Sequence, residues 1–121
     1  MNSRSRRNLF AAVAGLALLT VGCGGAPNAA TITLTDFKIT SGLAQVRAGQ
    51  PVTLTIVNGG RVDHNLKLDP VATDAALPET LKPGERTTVT LSFKASGTFG
   101  YACTLPGHAP AGMTGTVTVV S

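Results

Sequence analysis

From Thr31 onward, apolar and polar residues alternate with a period of two, in runs of five to eight residues broken by turn formers. Ile32 and Leu34 alternate with Thr31, Thr33 and Thr35, and Val52, Leu54 and Ile56 with Thr53 and Thr55. Further along, Val89, Leu91 and Phe93 alternate with Thr88, Thr90 and Ser92, and Val117 and Val119 with Thr116 and Thr118. Side chains of a strand point to opposite faces in turn, so each run offers one face to a core and a threonine face to water. No segment carries a convincing helical period. Pro83-Gly84 suits a type II turn, proline fixing the first central residue and glycine taking positive φ at the second. Asn58-Gly59-Gly60 ends a strand, and the stretch from Asp69 to Pro83, with Pro70, Pro78 and Pro83, predicts a surface connection with one short helical turn around Thr73 to Ala76. Six to eight short strands in about 90 residues predict an all-β Greek-key sandwich or barrel.

The N-terminus follows a different pattern. Arg4, Arg6 and Arg7 precede an apolar run from Leu9 to Val21, the order of a signal peptide, predicted over residues 1–22. The run is shorter than the roughly 20 residues of a stable membrane-spanning helix. It ends in LLTVGCGG, which resembles the lipobox of bacterial lipoproteins and implies cleavage before Cys23 and a lipid on its sulfur; Thr20 stands where Leu is commonest in that motif. SRRNLF reads equally as a twin-arginine signal or as a plain basic leader. Residues 23–30 then form the lipidated Cys and a short flexible tether, and residues 31–121 one domain, exported and held at a membrane or in the periplasm. The formal charge of the whole chain is +4. Beyond residue 22, seven basic residues face six acidic ones, leaving 7 − 6 = +1. With aromatics at 4% and no Trp, a nucleic-acid surface has little to be built from.

Lipidation of Cys23 leaves Cys103 as the one thiol of the mature chain, with no disulfide partner in an oxidising compartment. In His64-Asn65-Leu66-Lys67-Leu68 the His shares its face with Leu66 and Leu68; in Phe99-Gly100-Tyr101-Ala102-Cys103 the Cys shares its face with Phe99 and Tyr101. Both point inward at strand ends. CTLPGHAPAGM then places His108 five residues after Cys103 and Met113 five further on. Singly, each has an ordinary structural explanation, but the chain's two His fall beside its one mature Cys and one mature Met. Two imidazoles and a thiolate make a trigonal set that a distant thioether completes, the donor set of a blue-copper electron-transfer site. Thiolate and thioether suit Cu(I), and imidazole suits both oxidation states. Zinc is not excluded by the ligand set alone.

Over residues 31–121 the chain resembles the cupredoxins, the small blue copper proteins that include plastocyanin, azurin and auracyanin. The resemblance implies an eight-stranded Greek-key sandwich with one copper ion at one pole, and Cys103-x4-His108-x4-Met113 has the auracyanin-like spacing. It implies His64 as the first ligand, with Asn65 tying the ligand strand to the Cys loop and a backbone N–H directed at the sulfur. By the same resemblance the N–H of Leu105 is available to the thiolate, because Pro106 falls one place later than the proline that removes this donor in plastocyanin. Donors to the sulfur tune the potential upward. Asp63 precedes His64 where azurin has a Gly whose carbonyl approaches copper.

The resemblance also makes His108 the exposed edge through which electrons pass. Leu105, Pro106, Ala109, Pro110 and Ala111 then form an uncharged apolar rim for brief docking of a redox partner protein, such as a cytochrome or a membrane oxidoreductase. The function expected is single-electron transfer by a monomeric, membrane-tethered copper protein. Copper storage, delivery or resistance is the alternative, though the chain lacks Met-rich or His-rich tracts. A multicopper enzyme needs further His ligands, and both His are already assigned.

Overall fold

The computed structural model describes residues 28–121. The expected signal peptide, Cys23 and the first part of the expected tether lie outside the described residues. Eight strands are formed: β1 (Ala29–Thr35), β2 (Lys38–Ser41), β3 (Gln45–Arg47), β4 (Val52–Asn58), β5 (Lys67–Leu68), β6 (Arg86–Leu91), β7 (Gly97–Ala102) and β8 (Thr114–Val120). β1 opens two residues ahead of the expected domain start, because Ala29 and Ala30 pair with Thr53 and Leu54 of β4.

The strands make two four-stranded sheets, ordered β2-β1-β4-β6 and β3-β8-β7-β5. β1 runs parallel to β4 and β3 parallel to β8, while the other pairs are antiparallel. Such non-sequential neighbours are the crossings of a Greek key. The alternating positions meet between the sheets as expected: Ile32, Leu34, Leu54 and Ile56 from one sheet and Val117 and Val119 from the other are buried. Phe93, just past the end of β6, is buried with them. On the outer face, threonine hydroxyls pair across strands, Thr55 with Thr88 at 3.2 Å and Thr53 with Thr90 at 3.4 Å.

Two local expectations are corrected. Residues 73–76 are irregular, with no helical turn. The buried Thr73 hydroxyl accepts from the Ala75 N–H (3.3 Å) and donates to Ser92 O (2.9 Å), a local arrangement that competes with helix formation. The strand expected from His64 is reduced to Lys67–Leu68. His64 makes only an isolated bridge with Leu81, and Asn65 is buried alongside its neighbours rather than turned to water. The turn at Pro83-Gly84 forms as expected: Gly84 has φ +82° and the Glu85 N–H donates to Lys82 O at 2.9 Å.

Candidate metal centre

The site lies at the end of the sandwich where β1 finishes and β8 starts. β7 delivers Cys103 to this end, wholly buried. The loop from Cys103 to Met113 then folds back on itself. The N–H of Cys103 donates to Met113 O and the N–H of Met113 to His108 O, both at 3.1 Å. The His108 N–H donates to Leu105 O at 3.1 Å, across a turn in which Gly107 takes φ +81°. Three ligand residues are thereby fixed in one short loop, two of them, Cys103 and Met113, wholly buried and His108 half-buried.

His64 comes from the facing loop. Its N–H donates to Leu81 O (3.1 Å) and its carbonyl accepts from the Leu81 N–H (2.7 Å). Asn58, wholly buried at the end of β4, holds this loop in shape. Its Nδ2 donates to Val62 O (2.9 Å) and Leu81 O (2.8 Å), and its Oδ1 accepts from the Gly60 N–H (2.9 Å).

The donor atoms converge. His108 Nδ1 lies 3.1 Å from His64 Nδ1 and 3.4 Å from Cys103 Sγ, and all three atoms fall within 4.8 Å of one another. An ion about 2.0–2.3 Å from each donor needs donors roughly 3.5 Å apart in a trigonal plane, so the spacing fits a metal held by these three. Met113 adds a thioether from the same loop. The soft sulfur donors and paired imidazoles suit copper, with the Met as the weak fourth ligand.

Around the ligands, Asn65 acts in both ways expected of it. Its backbone N–H donates to Cys103 Sγ at 3.5 Å. Its side chain ties the two loops, Nδ2 donating to Thr104 Oγ1 (2.9 Å) and Glu79 O (3.1 Å) while Oδ1 accepts from the Thr104 N–H (2.7 Å). Among the described residues no hydrogen bond runs from the Leu105 N–H to the sulfur. That residue contributes its carbonyl to the His108 turn and packs its side chain against the core. Pro106 and Pro110 are exposed, and Ala109 is half-buried beside His108.

Two neighbours of the site escaped the sequence reading. Asp36 Oδ1 stands 3.0 Å from His64 Nε2, and both its carboxylate oxygens accept from the Arg61 N–H at 3.0 Å. The His64 ring first, and the Arg61 N–H second, hold the Asp36 carboxyl below its ordinary value. Phe37 sets its ring edge-on to His108, with centroids 5.2 Å apart. Phe37 is no ligand type and Asp36 has no spacing to the ligands that marks it; the only signal is that the pair occupies the turn that follows the first predicted strand.

A Greek-key β-sandwich carrying two imidazoles, a thiolate and a thioether at one end defines a cupredoxin with a type 1 copper site of His64, Cys103, His108 and Met113. Residues 29–120 match the copper-binding proteins of the plastocyanin/azurin family, and the chain belongs to that family. Among solved structures it is similar to the dithionite-reduced auracyanin of Roseiflexus castenholzii, at 25% identity and a TM-score of 0.68 over 80% of this chain and 100% of that one. Auracyanin B aligns with a TM-score of 0.66 at 25% identity, over 77% of this chain and 88% of that one. A copper-resistant cuproprotein, CopI of Rubrivivax gelatinosus, is 30% identical over 90 residues, covering 61% of this chain and 54% of that protein. The chain thus spans about half the length of that curated relative.

Proposed function

We propose that this protein is an extracytoplasmic single-electron carrier. The observation that carries the reading is the unequal burial of the ligands: His64, Cys103 and Met113 are shielded from water, while His108 reaches the surface. Copper held there supplies a one-electron Cu(II)/Cu(I) couple. The protein's own contribution is to hold the donors in one arrangement through the bonded loop and the Asn65 tie, so that little rearrangement accompanies a change of charge. Partner proteins dock at the uncharged rim of Leu105, Pro106, Ala109 and Pro110 in weak, short-lived contacts, and His108 is the electron's point of entry and exit. A formal charge of +1 beyond residue 22 supports docking without strong electrostatic steering. The expected anchor is a lipid on Cys23 at the outer face of the cytoplasmic membrane or at the outer membrane. Replacing Cys23 by Ser should then move the protein from the membrane fraction to the soluble one; unchanged partition would remove the lipid.

Electron transfer is tested by the self-exchange rate of the purified copper protein. Fast exchange with no loss of copper to a chelator supports a carrier, whereas slow exchange with ready copper release contradicts it. The likeness to a copper-resistant cuproprotein favours a second reading, copper handling for tolerance. On that reading, cells lacking the protein lose copper tolerance, and its copper passes readily to acceptor proteins.

A further inference from the structure

The turn joining β1 to β2 consists of Asp36 and Phe37, and it touches both histidine ligands. On one side the Asp36 carboxylate meets His64 Nε2 at 3.0 Å. A carboxylate only accepts, so the 3.0 Å contact places the ring proton on Nε2 and leaves the Nδ1 lone pair facing His108 and Cys103. Arg61 anchors the carboxylate through its backbone N–H. Gly60 makes room for the contact, since a Cβ there would overlap Asp36 Oδ1 and stand 2.8 Å from His64 Nε2. On the other side, the Phe37 ring packs edge-on against the His108 ring.

The backbone of this turn is unusual. Phe37 has φ +67°, the one positive-φ residue other than glycine among the described residues. That region is unfavourable for a bulky side chain, and residues held in it tend to sit where the surroundings over-determine them, often at functional sites. Here the residue remains 47% exposed, so core burial does not explain the conformation. The Phe37 carbonyl also lies 3.2 Å from where a Cβ on Gly112 would fall, next to the ligand Met113.

We propose that the Asp36-Phe37 turn is a strap that holds both imidazoles in their copper-binding poses before metal arrives, Asp36 by fixing the His64 proton on Nε2 and Phe37 by bracing the His108 ring. Both are positioning residues, and the proposal rests on the copper reading of the site. The Asp36 charge has a second effect. Placed on the far edge of a ligand ring, it favours the more highly charged Cu(II) over Cu(I) and draws the reduction potential down.

The test compares purified wild-type protein with Asp36→Asn, Asp36→Ala and Phe37→Gly. It reads the visible and electron paramagnetic resonance spectra, the Cu(II) affinity by chelator competition, the reduction potential, and the melting temperature without metal. In Asp36→Asn the amide oxygen still accepts from His64, so the blue band should survive. The loss of charge should lower the ratio of Cu(II) to Cu(I) affinity about ten-fold, a rise in potential of about 59 mV. Asp36→Ala should weaken Cu(II) binding by about 10- to 100-fold. Phe37→Gly frees the backbone, so the metal-free protein should melt no lower than wild type while Cu(II) affinity falls several-fold, a split that a merely structural turn would not give. Blue wild-type protein with affinity and potential unmoved in Asp36→Asn and Phe37→Gly would overturn the strap alone. A wild-type protein that never turns blue would overturn the copper reading and the strap with it. Should Asp36→Ala fail to fold, Asp36→Asn and Phe37→Gly decide the matter.

Discussion

Cys103 has no exposed surface, accepts one backbone N–H from Asn65 and sits within reach of His108. Its sulfur is the donor that gives a type 1 site its colour, and a hydroxyl in its place is a far poorer donor to copper. Cys103→Ser should therefore abolish the blue band and the reversible reduction while far-ultraviolet circular dichroism retains the sheet signal; a surviving blue band would remove Cys103 from the ligands. Met113 is equally buried, and Leu nearly matches its volume, so Met113→Leu should cost less than about 1.5 kcal/mol in stability. It should keep copper and shift the potential upward, as measured by voltammetry; loss of copper binding would make the Met a primary ligand. These four ligands were legible in the sequence because Cys103 continues the inward parity of Tyr101, His108 and Met113 follow it at fixed spacing, and His64 is the one other histidine. His64 is turned inward by its bridge to Leu81 and not by the strand parity expected for it. Asp36 was not legible. It meets His64 from 28 residues earlier in the chain, through a contact between two turns that no local pattern encodes.

Strands with a full alternating run, β1, β4, β6 and β8, were legible for the same reason that they fold: apolar side chains of one parity leave water together. β2, β3 and β5 have four, three and two residues, too few to display a period, and they exist because neighbouring strands offer them partners. The segment from His64 to Leu66 departs from a strand because the Asn65 side chain binds Thr104 and Glu79. Side-chain bonds also shape the 58–64 loop, where Asn58 serves Val62, Leu81 and Gly60. Asn58→Ala removes the partner of Val62 O and of the Gly60 N–H, while Leu81 O keeps the His64 N–H, and a buried polar group left unpaired costs about 1–3 kcal/mol. Stability in denaturant should fall by about 2 kcal/mol, and Cu(II) affinity should fall with it because the loop carries His64. A loss below about 0.5 kcal/mol would show that water or a rearranged backbone replaces the Asn58 bonds.

Seen whole, the molecule has two distinct ends. β1 begins at Ala29 and runs toward Asp36, and β8 leaves Met113 and ends at Val120, so both ends of the described domain lie at the pole away from the ligands. Seven residues of strand separate the poles by about 20 Å. With an anchor on Cys23, as proposed, the His108 rim would face away from the point of attachment and toward partners in the aqueous space. A charge placed on the rim should disturb only the encounter. Pro110→Glu is expected to slow electron transfer to a partner by several-fold with the visible spectrum unchanged, checked by stopped-flow mixing with a cytochrome; an unchanged rate would move docking to another face. Colour, reversible reduction and electron transfer through His108 all depend on a copper–thiolate bond at the converging donors. The most direct test is to add Cu(II) to the purified protein and record its visible absorption and electron paramagnetic resonance. An intense blue band with small copper hyperfine splitting, bleached reversibly by a reductant, is the expected result. A colourless protein, or one with the wide splitting of ordinary Cu(II), would contradict it.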